Sequence, residues 1–204
     1  MLSGGNGAGK TTLLKILAKL MRPDSGIITL EGRDLWNESD HIRKPMGFLS
    51  HQLYLYDDLN ALENLRFVAR LFDIDSPGER ITKVLTDLDL FHRQYDPIRN
   101  YSRGMQQRLG LARAILHDPE ILLLDEPFSG LDESGIDIFL HLLNSYKTQG
   151  KSVIIVSHNL QIGYEVADNL CILSHGNIEF QVEKQDISFS EFQGTYRQML
   201  RSQS

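Results

Sequence analysis

Gly4-Gly5-Asn6-Gly7-Ala8-Gly9-Lys10-Thr11 reads GGNGAGKT, and this stretch decides how the rest of the chain is read. The spacing fits G-x-x-x-x-G-K-[ST], a glycine-rich loop that closes around phosphate groups. Glycine frees the backbone to turn successive N–H groups inward onto anionic oxygens. Lys10 is placed for the terminal phosphates, and the Thr11 hydroxyl is a magnesium ligand. The helix expected behind the loop adds the positive end of its dipole. Gly4, Gly5, Asn6, Gly7, Ala8, Gly9, Lys10, Thr11 and Thr12 are therefore candidate nucleotide-binding residues. Such a loop needs a strand in front of it, and only Met1 and Leu2 precede Ser3. The expectation is a truncated front end in which N-terminal strands are missing.

Working outward, 204 residues suit a single α/β domain over 1–204. A net charge of −6 argues against a general basic surface for nucleic acid, so recognition of an anionic ligand falls to the loop. The single cysteine, Cys171, excludes an internal disulfide and agrees with a reducing compartment. It lies in the apolar run LCIL and reads as a packed residue. No apolar run approaches the roughly 20 residues of a membrane span.

Leu13, Leu14, Leu17, Leu20 and Met21 repeat at helical spacing, and Arg22-Pro23-Asp24-Ser25-Gly26 stops that helix. Ile27 to Leu30 reads as a strand, Glu31-Gly32 as a turn and Met46 to Leu49 as another strand. Asn60 with Glu63 is a capping signature, and Ser76-Pro77-Gly78-Glu79 starts a second helix with Pro77 at its first position. Residues 54–116 thus form a largely helical subdomain inserted into the sheet domain. Ile121 to Leu124 and Ser152 to Val156 are apolar on both faces, as buried parallel strands are. Asn169 to Leu173 and Ile178 to Val182 flank Ser174-His175-Gly176-Asn177 as a hairpin. Phe189, Phe192, Tyr196, Met199 and Leu200 mark a C-terminal helix that either packs on the domain or binds a partner.

The second half of the site is ILLLDEP, a strand that ends in Asp125 and Glu126. Asp125 stands where a carboxylate holds the magnesium on the phosphates. Glu126 follows at once, placed to orient and deprotonate an attacking water. Three further stretches are Tyr101-Ser102-Arg103-Gly104-Met105-Gln106-Gln107-Arg108 before a helix, Ser129-Gly130-Leu131-Asp132 after the acidic pair, and Ser157-His158 at a strand end.

In this order the chain resembles the ATP-binding subunits of ABC transporters, from its first residue to about residue 182. The resemblance implies an α/β fold with a P-loop NTPase core, a mainly parallel sheet and an inserted helical subdomain. It also implies ATP hydrolysis with ATP and Mg2+, in a homodimer that traps two ATP molecules head to tail. Each ATP would then touch Lys10 and Asp125 of one chain and Ser102 and Gly104 of the other. His158 would contact the terminal phosphate and Glu126, and Asp132 would lie at the dimer interface or cap the following helix. Implied partners are transmembrane permease subunits at the cytoplasmic face of the cell membrane, with no nucleic acid.

The chain departs from the family pattern in places. The signature usually resembles LSGGQ, whereas YSRGM stands here, so Tyr101, Arg103 and Met105 differ while Ser102 and Gly104 remain. At the glutamine loop, alignment places His51 at the usual glutamine position, and a slip of one residue makes Gln52 the magnesium sensor. HQLYLYDDLNALENLRFVARL and the SRGMQQR signature are similar to the ATPase subunit of the haem exporter of cytochrome c biogenesis. Multidrug and lipid exporter ATPases share much of the pattern, as do soluble scaffold ATPases of the iron–sulfur assembly type. A truncated, inactive binding module is the remaining alternative.

Overall fold

The computed structural model describes residues 1–30, 32–36 and 46–201. A six-stranded sheet is built from β1 (Leu2–Gly4), β4 (Met46–Leu49), β5 (Ile121–Asp125), β6 (Ser152–Val156), β7 (Asn169–Ser174) and β8 (Asn177–Glu183). Its order is β4-β5-β6-β1-β7-β8. Every neighbouring pair is parallel except β7 with β8. A parallel sheet brings the C-terminal ends of β1, β4, β5 and β6 to one edge, where ligands of α/β sheets bind. The predicted α/β class with a mainly parallel sheet is observed.

A short strand stands directly under the phosphate loop. Leu2–Gly4 lies between β6 and β7, with Leu2 opposite both Val156 and Cys171. Three residues suffice because neighbours flank the strand on both sides and its residues are buried.

Alternation within β5 explains its continuous apolar run. Leu122 and Leu124 join one core with Leu49, Leu109, Phe139 and Ile155. Leu123 joins a second with Leu2, Leu14, Val156 and Leu173. Successive side chains point to opposite faces, and helices cover both. The first core is supplied by α2 (Ala61–Leu71), α3 (Gly78–Asp87), α4 (Arg103–Ile115) and α5 (Glu133–Thr148), and the second by α1 (Lys10–Leu17). The helical insertion therefore shares its apolar interior with the sheet.

Several local expectations shift. Helix α1 stops at Leu17, because Lys19 takes a left-handed conformation (φ 56°) and Leu20 N–H turns back to the Lys15 carbonyl at 2.8 Å. Leu20 and Met21, expected within the helix, lie beyond it and are 58% and 43% exposed. The strand expected at Ile27 to Leu30 shrinks to β2 (Thr29–Leu30), paired antiparallel with β3 (Arg33–Asp34). Glu31 of the expected turn lies outside the described residues. Pro77 caps α3 rather than occupying its first turn. The capping box of α2 is complete, with Asn60 Oδ1 accepting from Glu63 N–H and Glu63 Oε2 from Asn60 N–H, both at 2.9 Å. The β7–β8 hairpin closes on His175-Gly176 alone, with φ 47° and 81°. Two central residues with positive φ match the twist of the flanking strands.

The short helix α6 (Leu160–Val166) and the C-terminal α7 (Phe189–Arg201) complete the order. Phe192 is fully buried against Ala167, Leu170 and Ile172, with Tyr196 and Met199 packed beside it. The apolar face of α7 thus packs on the domain. Cys171 is half-buried on β7, and burial pushes its thiol up.

Candidate functional site

The loop after β1 wraps tightly because glycine is required at its root. A Cβ on Gly4 would come within 2.3 Å of the Leu173 carbonyl oxygen. Gly9 caps α1 with φ 103°, and no side chain caps that helix. Its first-turn N–H groups therefore remain available to an anion, in the concave arrangement that phosphate oxygens need. Lys10 Nζ donates to the carbonyls of Gly4 at 2.9 Å and Gly5 at 2.8 Å. Lys10 is 8% exposed. Burial pushes its pKa down, opposed by the charges of Glu126 and then Asp125.

Asp125 and Glu126 arrive from the C-terminal end of β5. Thr11 Oγ1 donates to Asp125 Oδ2 at 2.8 Å, joining the start of α1 to the acid strand. Asp125 is 3% exposed. Glu126 turns its backbone to φ 52° and donates its N–H to the Val156 carbonyl at 2.9 Å. Its carboxylate meets the end of β6, where His158 N–H donates to Oε2 at 3.1 Å. The His158 ring nitrogen Nε2 stands 3.6 Å from Oε1. That separation exceeds a hydrogen bond, and Glu126 Oε1 is buried with no hydrogen-bond partner. Lys10, Thr11, Asp125, Glu126 and His158 thus converge from three strand ends.

Ser102 and Gly104 belong to a separate surface. Ser102 caps α4, its Oγ accepting from Met105 N–H at 3.2 Å, and is exposed. A Cβ on Gly104 would lie 3.3 Å from the Gly130 carbonyl, and Arg103 Nη2 donates to Ser129 Oγ at 3.2 Å. The departures from the usual signature therefore have partners in this chain. Tyr101 is buried, its hydroxyl donating to the Arg93 carbonyl at 2.8 Å, and burial pushes its pKa up to about 12. Asp132 caps α5, Oδ1 accepting from Gly135 N–H at 2.9 Å and from the Ser134 hydroxyl at 3.2 Å. These donors hold its pKa below the usual carboxylate range.

His51 and Gln52 are both exposed beside β4, in a cavity of about 500 Å³ that they share with Arg103, Gln107 and Ser129. Ser50 Oγ donates to the Gln52 carbonyl, which fixes that backbone but neither side chain.

Two residues were missed in the sequence. Gln107 is buried and donates from Nε2 to the Pro127 carbonyl at 3.1 Å and the Glu126 carbonyl at 3.4 Å. It ties the signature helix to the acidic turn, and the only signal was a polar residue on an otherwise apolar helical face. Tyr196 reaches from α7 to the Gly4 carbonyl at 3.4 Å.

A phosphate loop on a parallel sheet, with an acidic strand end and a histidine beside it, defines a nucleotide-binding α/β ATPase. The ABC transporter family model matches residues 1–129, more than half of the chain. An uncharacterised ABC transporter ATP-binding protein of Nostoc is 40% identical over 181 residues, covering 87% of this chain and 53% of that protein. The lantibiotic transport ATP-binding protein SrtF of Streptococcus pyogenes is 35% identical, covering 89% of this chain and 77% of that protein. The chain thus spans about half the length of the Nostoc relative and three quarters of SrtF. Among solved structures, an ATP-binding subunit of an ABC transporter superposes with a TM-score of 0.86 at 27% identity, covering 97% of this chain and 88% of that one. A dimeric, post-hydrolysis ATP-binding cassette bound to ADP and Pi gives 0.81 at 25% identity, covering 90% and 84%. The chain belongs to the ABC transporter family.

Proposed function

We propose that this domain hydrolyses ATP between two copies of the chain and so drives transport through separate membrane subunits. One observation carries the chemistry. Glu126 has one carboxylate oxygen held by His158 N–H and the other buried without a donor. A general base needs such an oriented, unpartnered oxygen. Water attacks the terminal phosphorus and its proton passes to Glu126 Oε1. The bond to the bridging oxygen breaks, and ADP leaves with that electron pair. Lys10 exchanges the Gly4 and Gly5 carbonyls for phosphate oxygens, and the loop N–H groups hold the rest.

Thr11 and Asp125 supply two hard oxygen donors, the kind magnesium takes along with phosphate oxygens. Among the described residues no cluster of three His, Cys, Asp or Glu side chains could hold a metal alone, which fits an ion shared with the nucleotide. When bound, magnesium neutralises developing phosphate charge. Gln52, or His51 beside it, is the proposed sensor of that ion.

Ser102 and Gly104 would complete the site of a second copy. Ser102 is exposed at the N-terminus of a 13-residue helix, a place that favours a phosphate. The similarity to a dimeric cassette bound to ADP and Pi supports that geometry. Asp132, at the start of α5, would lie at the same interface. No helix among the described residues is long and apolar enough to cross a membrane. The proposed partners are transmembrane permease subunits, with the chain at the cytoplasmic face. For cargo, the HQLYLYDDLNALENLRF and SRGMQQR segments favour the haem-export type of cytochrome c biogenesis; SrtF, by its name, serves lantibiotic transport.

The test is phosphate release from ATP with and without magnesium, by the chain alone and with co-purified membrane proteins. Magnesium-dependent turnover is expected. Its absence in both preparations would overturn the motor reading. Restoration of cytochrome c maturation in a strain lacking that exporter's ATPase tests the cargo.

A further inference from the structure

Helix α7 lies beyond the residues matched by the family model, yet it delivers a side chain to the phosphate loop. Its placement is firm. Ser188 and Glu191 cap it reciprocally, with Ser188 N–H donating to Glu191 Oε2 at 2.9 Å and Glu191 N–H to Ser188 Oγ at 3.4 Å. Phe192 is fully buried, and Tyr164 packs on both Phe189 (ring centroids 5.4 Å) and Phe192 (6.5 Å). One turn beyond Phe192 on the same face, Tyr196 directs its hydroxyl to the Gly4 carbonyl. The same carbonyl accepts Lys10 Nζ at 2.9 Å. Tyr196 also lines a cavity with His158, Asn159, Gln193 and Arg197, so α7 forms one wall beside the strand-end histidine.

Two donors on one carbonyl matter because the Lys10 ammonium has only three N–H groups, two of them spent on Gly4 and Gly5. Bonding two phosphate groups therefore takes Lys10 off at least one carbonyl, and Gly4 is the buried one of the two. Abandoning a buried acceptor is costly unless another donor stays. We propose that Tyr196 is a positioning residue of the nucleotide site, whose hydroxyl keeps the Gly4 carbonyl satisfied while Lys10 moves onto the phosphates. The inference rests on the nucleotide reading above and adds to it a residue of the C-terminal helix. The negative charge of Glu126 nearby, after burial, pushes the Tyr196 pKa up, so the hydroxyl stays protonated as a donor.

The experiment compares Tyr196→Phe with the parent full chain, and repeats the comparison in a Lys10→Ala background, using equilibrium binding of ATP, kcat and KM. Loss of one hydrogen bond at this distance predicts ATP affinity weaker by about threefold, and KM higher to match, with kcat within about twofold. The ring stays in place, so Tm should remain close to the parent. With Lys10 absent no exchange occurs, and Tyr196→Phe should have no further effect on affinity, a coupling that simple packing does not produce. Equal affinity of Tyr196→Phe and a parent that binds ATP would overturn this inference alone. So would the same loss in both backgrounds. No ATP affinity in the parent would overturn the nucleotide reading, and this inference with it.

Discussion

The two halves of the proposed phosphate site are built differently. The half around Lys10, Asp125, Glu126 and His158 is wired into the interior: Lys10 and Asp125 are buried, Lys10 donates to the Gly4 carbonyl, Asp125 accepts from Thr11, and Glu126 accepts from the His158 N–H. The half around Ser102 is exposed, and its hydroxyl bonds its own helix at Met105. The first is a preorganised site within one chain. The second is an exposed helix start, which on the proposed reading takes its phosphate from another molecule. On that reading, the contrast explains how one short domain carries two sets of phosphate-binding groups.

The largest test of this contrast falls on the wired half. Glu126→Gln keeps the shape and the acceptor for His158 N–H but removes the base, and kcat should fall about 10²- to 10⁴-fold. ATP binding should persist; parent-rate hydrolysis in a quench-flow assay would remove Glu126 from the role. Next, Lys10→Ala removes charge-assisted hydrogen bonds worth about 1.5–3 kcal/mol, so ATP affinity should fall about 10- to 150-fold. Nucleotide titration by fluorescence checks it, and unchanged affinity would break the reading of the loop.

A third test sits away from the site, where α4 ends. Burial pushes His117 down to about 4 from its ordinary 6.5. Nε2 meets the Met46 carbonyl at 3.0 Å, Nδ1 is buried without a partner, and the ring stacks on Phe72. A proton on Nδ1 would bury an unpaired N–H. The unfolded chain takes that proton near pH 6.5 and the folded chain only near pH 4, so His117 favours unfolding progressively as pH falls across that window. His117→Gln should flatten this part of a urea-denaturation series against pH. An unchanged pH slope would refute the assignment.

The smallest expected effect falls on the outward half. Ser102→Ala removes an N-cap, at a cost of about 1 kcal/mol of stability by chemical denaturation. It should leave ATP affinity of the single chain unchanged and weaken ATP-dependent pairing. A loss of single-chain affinity would mean that Ser102 acts within its own site, contrary to the comparison.

What was legible in the sequence follows the same division. The phosphate loop and the acidic strand end are contiguous runs whose local geometry demands particular residues, so Lys10, Thr11, Asp125 and Glu126 could be named before their contacts were seen. The end of α1 was not legible, because Lys19 adopts a left-handed conformation without a glycine to announce it. Periodicity alone therefore carried the helix on to Met21. The short β1 was hidden because three residues make a strand only when β6 and β7 already flank them. Gln107 and Tyr196 depend on tertiary placement, one bonding a carbonyl 20 residues away and the other a carbonyl 192 residues away. No local pattern encodes such a reach.

The central claim is that two copies meet across ATP, each completing the other's site. Sedimentation of Glu126→Gln with saturating ATP tests it most directly, because slow turnover holds the bound state. The account predicts a shift from the 23.3 kDa chain to a species of twice that mass, dependent on ATP and reduced by Ser102→Ala. A chain that binds ATP yet sediments at 23.3 kDa at every protein concentration would contradict it.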